Sequence, residues 1–502
     1  MVRKKVVFGA IGIFLAGVIL GLCADRVLPL SVFVGKTAGF VPACRVGGDV
    51  ASPFLLTDPG ELPKEKFTAK KKSLRGTPLA DIIAKAQPVA EVFEVLLLGS
   101  DGMGAVLDGS TLAGSYLLFS AAGGWEAVNL YHPASSNVKR IAEIIVMAEN
   151  APLETGVNIV SQEENLLHLT PGSVYKGSMP VVPYFEGAST TSHDGKQFGT
   201  SVYTYRRLFP LSALLPPEAG KRLLAMGRQG AYADISADGW LELKDNVFHY
   251  LPPDREGGIA DVAGIVVDPP AASIMDLYHD TEHYLRSGRV MVLYLDGFGY
   301  HQYLHAVNTG YAPFLAELPP AVRALTVYQP VTNAGFAAMI TGRPPEENGV
   351  WSRKQMDLLV PSIFALAENS GKKAALIEGN IKILNTEVEP MLNPDANGDG
   401  STDDEIMARA AACLDNDYDL LFVHFHSIDD AGHTYGDLSP ETLRQVQAVD
   451  GYVRELVTGW EGTVIILADH GMHKAASAGS HGAFCYEDLF VPYIVAKGGK
   501  SG

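Results

Sequence analysis

Cysteine is scarce in this chain: among 502 residues there are four, namely Cys23, Cys44, Cys413 and Cys485. Cys23 lies in the leader; the wide spacing of the other three excludes a disulfide framework and a Cys-x-x-Cys metal motif and leaves them as small buried hydrophobes. Positive charge is also in deficit. Lys and Arg number 39 against 57 Asp and Glu, for a formal net charge of −18. That balance argues against nucleic-acid binding, which needs clustered basic side chains. It leaves anionic substrates open, because bound divalent metals reverse the local field. Charged residues make up 19% and hydrophobic ones 47%, the composition of a globular protein. The length is too great for one core, so two to four domains are expected.

The N-terminus has a long uncharged run. Residues 6–23 follow Arg3, Lys4 and Lys5 and precede Asp25 and Arg26. Such a run can just span a bilayer, and its basic flank places the N-terminus inside and the remainder outside. Residues 1–30 are therefore expected to be a signal peptide or membrane anchor. The chain would be exported, either held on the membrane facing outside or secreted. The Leu20-Gly21-Leu22-Cys23 segment hints at a lipoprotein site, but Leu22 is bulky where a small residue is needed.

Two β-rich stretches follow, 40–150 and 151–270, with Gly-Gly and Asp-Gly punctuation. The basic stretch 64–75 reads as a solvated loop or hairpin. The second stretch echoes the first. Pro78-Leu79-Ala80-Asp81 has a counterpart in Pro210-Leu211-Ser212-Ala213, and Leu98-Gly99-Ser100-Asp101-Gly102 in Met226-Gly227-Arg228-Gln229-Gly230. Each then closes on a β-branched run, 141–146 or 262–267, which predicts two related modules in tandem. Val46-Gly47-Gly48-Asp49, Arg75-Gly76-Thr77-Pro78-Leu79 and Ser100-Asp101-Gly102 give the first module a resemblance to the sulfite-oxidase-type molybdopterin-binding fold. No cysteine stands where that family ligates molybdenum, so a structural or binding role is expected instead.

After Pro269-Pro270 the pattern changes. Apolar runs at 290–295, 374–377, 420–425 and 464–468 read as buried parallel strands. Segments 361–370, 403–414 and 440–458 between them read as helices. Residues 275–502 are thus expected to form an α/β domain with a doubly wound sheet. Ligands bind such sheets at the carboxyl ends of the strands, where metal-type residues gather here. Asp296 follows the first run directly, Asp429 and His433 lie just beyond the third, and Asp469 and His470 follow the fourth, with His481 a little later. Thr332 opens a small-residue helix, Thr332-Asn333-Ala334-Gly335. Singly, each motif has an ordinary explanation: Asp-His is a common turn or cap, and Thr332 alone would be a helix N-cap. Together, three carboxylates, three imidazoles and a hydroxyl suit two divalent ions, zinc first and manganese second.

From Asp296 onward the chain resembles the alkaline-phosphatase superfamily, in particular its type I phosphodiesterase/nucleotide pyrophosphatase branch and phosphonoacetate hydrolase. The resemblance rests on Asp296-Gly297-Phe298-Gly299, Pro330-Val331-Thr332-Asn333, Thr341-Gly342-Arg343-Pro344-Pro345, Asp429 to His433, Asp469-His470-Gly471-Met472 and His481-Gly482. It implies an alkaline-phosphatase-like fold and phosphate-ester hydrolysis through a phosphothreonine on Thr332. It also implies that Asp296, Asp469 and His470 hold one metal with Thr332, and that Asp429, His433 and His481 hold the other. Where that branch usually places an Asn, three residues after the nucleophile, this chain has Gly335; Asn333 is then expected to hold a phosphoryl oxygen. No Cys-x-Pro-x-Arg segment of the sulfatase kind is present. The substrate expected is a small phosphate ester. Alternatives are a phosphonate C–P hydrolase on the same site, or a cell-surface binding protein with a vestigial enzyme domain.

Asp395, Asn397 and Asp399, with Gly400 in sixth place, read as the first half of a calcium loop, although Ile406 stands where the twelfth position needs Glu. A plain acidic loop is the other reading. His424, His426 and His473 lie near the site and are expected to support it by hydrogen bonding, and His193 is expected at the surface.

Overall fold

The computed structural model describes residues 42–176, 181–215, 222–254, 257–476 and 478–499. The apolar run 6–23, its basic flank and Cys23 lie outside these residues. Among the described residues no helix is long and apolar enough to cross a membrane.

The two β-rich stretches share one strand order. In the first, a five-stranded sheet runs Phe54–Leu56, Cys44–Gly48, Ile141–Ala148, Phe93–Gly99, Gly104–Asp108. In the second it runs Asn165–Leu169, Val157–Val160, Val262–Val267, Leu223–Gly227, Tyr232–Ile235. In both, the strands that come first and last in the chain, Cys44–Gly48 with Ile141–Ala148 and Val157–Val160 with Val262–Val267, pair in parallel, and the rest are antiparallel. Each stretch adds a four-stranded sheet: Glu65–Ala69, Lys72–Pro78, Ser115–Ser120 and Gly124–Asn129, or Val181–His193, Lys196–Pro210, Trp240–Lys244 and Val247–Leu251. The repeated sequences mark the same structures. Pro78 and Pro210 end a strand and cap the helices Leu79–Ala86 and Leu211–Leu214, because proline presets φ and lacks the N–H that a helix start leaves unbonded. Gly102 and Gly230 close matching turns at φ 83° and 92°, each after a bulge in the preceding strand.

The basic stretch is a hairpin between Glu65–Ala69 and Lys72–Pro78. Lys70 and Lys71 turn it at positive φ. His193 is exposed at the end of its strand, while Cys44, Cys413 and Cys485 are buried free thiols.

The α/β domain has an eight-stranded sheet in the order Ala272–Ser273, Val322–Leu325, Phe490–Lys497, Thr463–Leu467, Val290–Leu295, Leu420–Phe425, Ala374–Glu378, Met391–Leu392. Seven strands run parallel, and Phe490–Lys497 is antiparallel to both its neighbours. The four expected apolar runs form adjacent strands and are buried on both faces, which explains their uninterrupted hydrophobicity. Helices Ile363–Asn369, Asp403–Cys413 and Pro440–Gly459 fall where they were expected.

The second β-rich stretch is packed directly onto this domain. Val160, Leu224, Met226, Ala263 and Val266 form one buried cluster with Leu325, Tyr328, Phe484, Leu489 and Phe490. Gly264 allows this approach: a Cβ there would stand 2.2 Å from the Phe484 ring. Arg323 donates to the Gln162 carbonyl at 2.7 Å, and the Tyr486 N–H donates to Asn165 Oδ1 at 3.0 Å.

Candidate active site

Parallel strands deliver their C-terminal ends to one edge of the sheet, and that edge carries the site. Asp296 ends the Val290–Leu295 strand, with its N–H donating to the Phe425 carbonyl at 3.0 Å. Asp469 and His470 follow Thr463–Leu467 on the adjacent strand and are completely buried. Asp296, Asp469 and His470 bring ligand atoms together: His470 Nε2 lies 3.5 Å from Asp296 Oδ1 and 3.2 Å from Asp469 Oδ2. Two ligands at tetrahedral angles around an ion at 2.0–2.2 Å are separated by about 3.3–3.6 Å, so the spacing fits a shared cation.

The second expected set is built on a helix. Asp429 and His433 are one turn apart on Ser427–Tyr435, with His433 Nε2 3.4 Å from Asp429 Oδ2. His481 Nε2 lies 3.8 Å from Asp429 Oδ1, and its ring stacks on His470 at 3.8 Å. Gly297, at φ 69°, lets the Asp296 turn meet this helix, since a Cβ there would stand 2.7 Å from Asp429 Oδ1. The helix start is fixed by Asp403, whose carboxylate accepts the N–H of His426 at 2.8 Å and of Ser427 at 3.1 Å.

The imidazole tautomers are set for ligation. His470 Nδ1 lies 2.9 Å from the Gly471 carbonyl oxygen and His481 Nδ1 2.9 Å from that of Pro330. Each Nδ1 therefore carries the proton, and each Nε2 presents a lone pair. Burial pushes the His470 pKa down to about 4. Burial, and then His470 itself, take His481 down to about 2. Asp469 and Asp429 are held well above the usual carboxylate range by burial and by the charge of Asp296. Burial pushes Asp296 the same way, but His424 and His426 beside it bring it well below its usual value. Asp296 Oδ1, Asp429 Oδ1, Asp469 Oδ2 and His470 Nε2 are all buried without a hydrogen-bond partner. Orphaned polar atoms are costly, and a pair of divalent ions would satisfy all four.

Thr332 is the first residue of the helix Thr332–Thr341, and Val331 occupies the N-cap position. Thr332 is thus not the cap. The first backbone bond of this helix runs from Gly335 N–H to the Val331 carbonyl. The N–H groups of Thr332, Asn333 and Ala334 are the ones a helix start leaves for a ligand. The Asn333 amide donates to the carbonyls of Gln355 at 3.1 Å and Ile383 at 3.2 Å. Both its protons go to backbone, so in this conformation the Asn333 side chain anchors two loops and offers no donor to a phosphoryl oxygen. The anchored 352–355 loop carries Arg353, whose guanidinium contacts His481 Nε2. That cation at the mouth of the site had no sequence signal, because only the loop path brings it there.

His424 and His426 lie deeper. They form a group with Asp296 and contact buried Glu378 at the end of the Ala374–Glu378 strand. Glu378 carries no sequence signal, because it reads as the end of an apolar strand. His473 Nδ1 lies 2.9 Å from both carboxylate oxygens of Asp488. Asp488 also accepts the Ala483 N–H at 3.0 Å, tying together the loops that carry His470 and His481.

The 395–400 loop is closed by its own backbone. Asp395 accepts from Gly398 N–H at 2.6 Å and Gly400 N–H at 3.0 Å, and Asn397 Oδ1 accepts from Asp399 N–H at 2.9 Å. Its carboxylates are not among the convergent ligand groups of the described residues.

No curated protein matches this chain. Among solved structures it is similar to phosphonoacetate hydrolase from Sinorhizobium meliloti 1021, with 19% identity, 37% of this chain and 57% of that chain covered, and a TM-score of 0.31. Murine ectonucleotide pyrophosphatase / phosphodiesterase 5 gives 19% identity, 38% and 58% coverage and a TM-score of 0.31. A 2-O GAG sulfatase gives 16% identity, 42% and 64% coverage and a TM-score of 0.34. The chain therefore spans less than two thirds of each of these structures. Residues 386–492, which carry Asp429, His433, Asp469, His470 and His481, match the model of the type I phosphodiesterase / nucleotide pyrophosphatase family, and the chain is similar to that family over this stretch.

Proposed function

We propose that the α/β domain hydrolyses small phosphate esters through a covalent phosphothreonine on Thr332. The observation that carries this reading is the set of four buried, unpartnered ligand atoms on Asp296, Asp429, Asp469 and His470, at the sheet edge against which the Thr332 helix packs. Asp296, Asp469 and His470, with the Thr332 hydroxyl, would hold one divalent ion. Asp429, His433 and His481 would hold the second. Such ions, zinc or manganese by the mixed N/O donor set, would supply the positive charge that makes a threonine hydroxyl nucleophilic and offsets charge on the phosphoryl group.

The chain's own residues do the rest. Thr332 Oγ1 bonds to phosphorus as the P–O bond to the leaving alcohol breaks. The free N–H groups at the helix start donate to the equatorial oxygens, and Arg353 adds charge at the entrance. Water then attacks phosphorus and the Oγ1–P bond breaks, releasing phosphate from a monoester or a phosphate monoester from a diester, while a proton of the water restores the Thr332 hydroxyl. We also infer export, on the strength of Arg3, Lys4, Lys5 and the run 6–23.

The test is a panel of phosphate monoesters, diesters and phosphonates offered to the purified full chain, with its metal content measured in parallel. Turnover of a phosphate ester, abolished by a chelator and restored by zinc or manganese, supports the reading. Two bound ions with no turnover of any phosphate ester would sink it, and cleavage confined to phosphonates would move the activity to the C–P bond.

A further inference from the structure

Positive charge is concentrated in one place. Six of the 39 Lys and Arg residues fall within residues 64–75, in a chain whose net charge is −18. All of them, Lys64, Lys66, Lys70, Lys71, Lys72 and Arg75, are exposed. Among the described residues none of them has a carboxylate at ion-pair distance, whereas Lys85, Lys176, Lys372 and Lys382 each have one. The hairpin they occupy has two unlike faces. Phe67 and Leu74 are paired across it on the inward face, where the Phe67 ring stacks on Tyr116 at 4.0 Å. Lys66 and Arg75 are paired across it on the outward face.

Like charges directly opposite each other destabilise an antiparallel pair. The turn is unfavourable as well: Lys70 and Lys71 sit at φ 47° and 63°, where Asn-Gly would fit with less strain. The fold does not require this arrangement. In the second β-rich stretch the hairpin at the same place in the sheet, Val181–His193 with Lys196–Pro210, turns on Asp194 and Gly195. Cations held against local stability call for an anionic partner, and the path of the chain indicates which one. Residues 6–23 are the inferred membrane segment, and the described structure begins at Pro42, so 18 residues separate the two. Fully extended, they reach at most about 65 Å. The Pro42 carbonyl accepts from Trp125 Nε1 at 2.6 Å. Trp125 lies on Gly124–Asn129, at one edge of the sheet whose other edge is the basic hairpin. Three strand spacings, about 15 Å, therefore separate the point where the chain enters from the hairpin.

We infer that this hairpin docks on the anionic lipid headgroups of the bilayer that holds the N-terminus. Lys66 and Arg75 on the outward face, with Lys70, Lys71 and Lys72 at the tip, meet the lipid phosphates. Basic side chains close to a membrane segment gain from the surface potential in this way. The acidic remainder of the chain is repelled by the same surface, so docking fixes which side of the first module faces the membrane. The inference rests on the export reading for its tether and is independent of the phosphate-ester chemistry.

The test is limited trypsin digestion of the full chain on vesicles of phosphatidylcholine alone or mixed equally with phosphatidylglycerol. Mass spectrometry locates cuts at 70–72 and, as an internal reference, at the exposed Lys196. The anionic vesicles should slow cutting at 70–72 relative to Lys196 by about tenfold or more. Raising salt from about 0.1 to 1 M shortens the screening length from about 10 to 3 Å and should remove the protection. Lys66→Gln combined with Arg75→Gln relieves the repulsion between the strands and keeps the tryptic sites. That variant should fold and be cut on anionic vesicles nearly as fast as on neutral ones. Flotation with neutral vesicles reports separately on residues 6–23: failure to float would overturn the anchor, and protection of 70–72 by anionic vesicles would still uphold the docking. Equal cutting on both kinds of vesicle would overturn the docking and leave the anchor standing. Protection by soluble polyphosphate but not by vesicles would also overturn it and assign the hairpin to a soluble polyanion.

Discussion

Gly335 lies so close to Asp469 that a Cβ on it would stand 2.6 Å from the Asp469 Cβ and 2.9 Å from the Asp469 carbonyl oxygen. The helix that presents Thr332 is thereby pressed against the strand end that supplies two metal-type ligands, and no side chain fits between them. This also explains why the residue three positions after Thr332 is not an asparagine. Gly335→Ala must push the helix outward. The expected cost is about 1–3 kcal/mol of stability, with a fall in turnover on the order of 100-fold from misplacing the hydroxyl. Thermal melts and kinetics on the same preparation check this; a variant with wild-type turnover would show that the close packing does not set the geometry.

Much of the site could be read in the sequence because its residues interrupt apolar runs. Asp296, Asp469 and His470 each follow a strand buried on both faces, where a charged residue has no packing role. Asp429 and His433 were legible by their spacing, although the helix beneath them was not. What stayed hidden depends on the path of the chain. Glu378 reads as the end of an ordinary strand, Arg353 arrives through a loop held by Asn333, and Asp403 looks like any acid at a helix start. The strand Phe490–Lys497 contains Pro492, which counts against a strand on sequence grounds. Nor does any local pattern announce that Gly264 meets Phe484.

That contact has a consequence for a shortened protein. Deleting everything before residue 273 would uncover Leu325, Tyr328, Phe484, Leu489 and Phe490, which are buried with the second β-rich stretch. At about 1.5–3 kcal/mol for each large apolar side chain, even partial exposure approaches the whole stability of a typical domain, about 5–15 kcal/mol. Residues 273–502 expressed alone are expected to aggregate or melt well below the full chain. A soluble fragment with the melting temperature of the full chain would show the interface to be dispensable.

His473 provides a pH test. Burial would lower its pKa, but the hydrogen bond and charge of Asp488 outweigh this and raise it above the usual value, with Glu487 and Glu154 adding to the effect. A raised folded-state pKa means that the folded protein holds the proton more tightly than the unfolded chain. Its contribution is lost as pH rises through the folded value. Asp488 is itself pushed up to about 6, by burial first, so the pair is charged on both sides only between that value and the raised one of His473. His473→Asn should therefore cost most near pH 6.5, by about 1.5–3 kcal/mol for a hydrogen bond to a charged group, and less toward both pH 5 and pH 9. Chemical denaturation across that range decides the matter, and a difference that stays constant with pH would show that the imidazolium is not what stabilises the loop.

Thr332 gives the sharpest test of the proposed chemistry. Its helix leaves the first N–H groups free, its N-cap is Val331, and six other residues carry the remaining metal-type ligands. Thr332→Ala should therefore keep its fold and most of its metal, because Asp296, Asp429, His433, Asp469, His470 and His481 all remain. Turnover of a phosphate ester should fall by a factor on the order of 10⁴ or more, as when a covalent nucleophile is deleted. Thr332→Ser should retain measurable turnover, since it keeps the hydroxyl and loses only a methyl group. Stereochemistry offers an independent check: attack by Thr332 and then by water gives two in-line displacements, so a chiral phosphoryl group should be transferred with net retention. Wild-type turnover by Thr332→Ala, or inversion at phosphorus, would mean that water attacks the ester directly and that Thr332 serves only to open the helix.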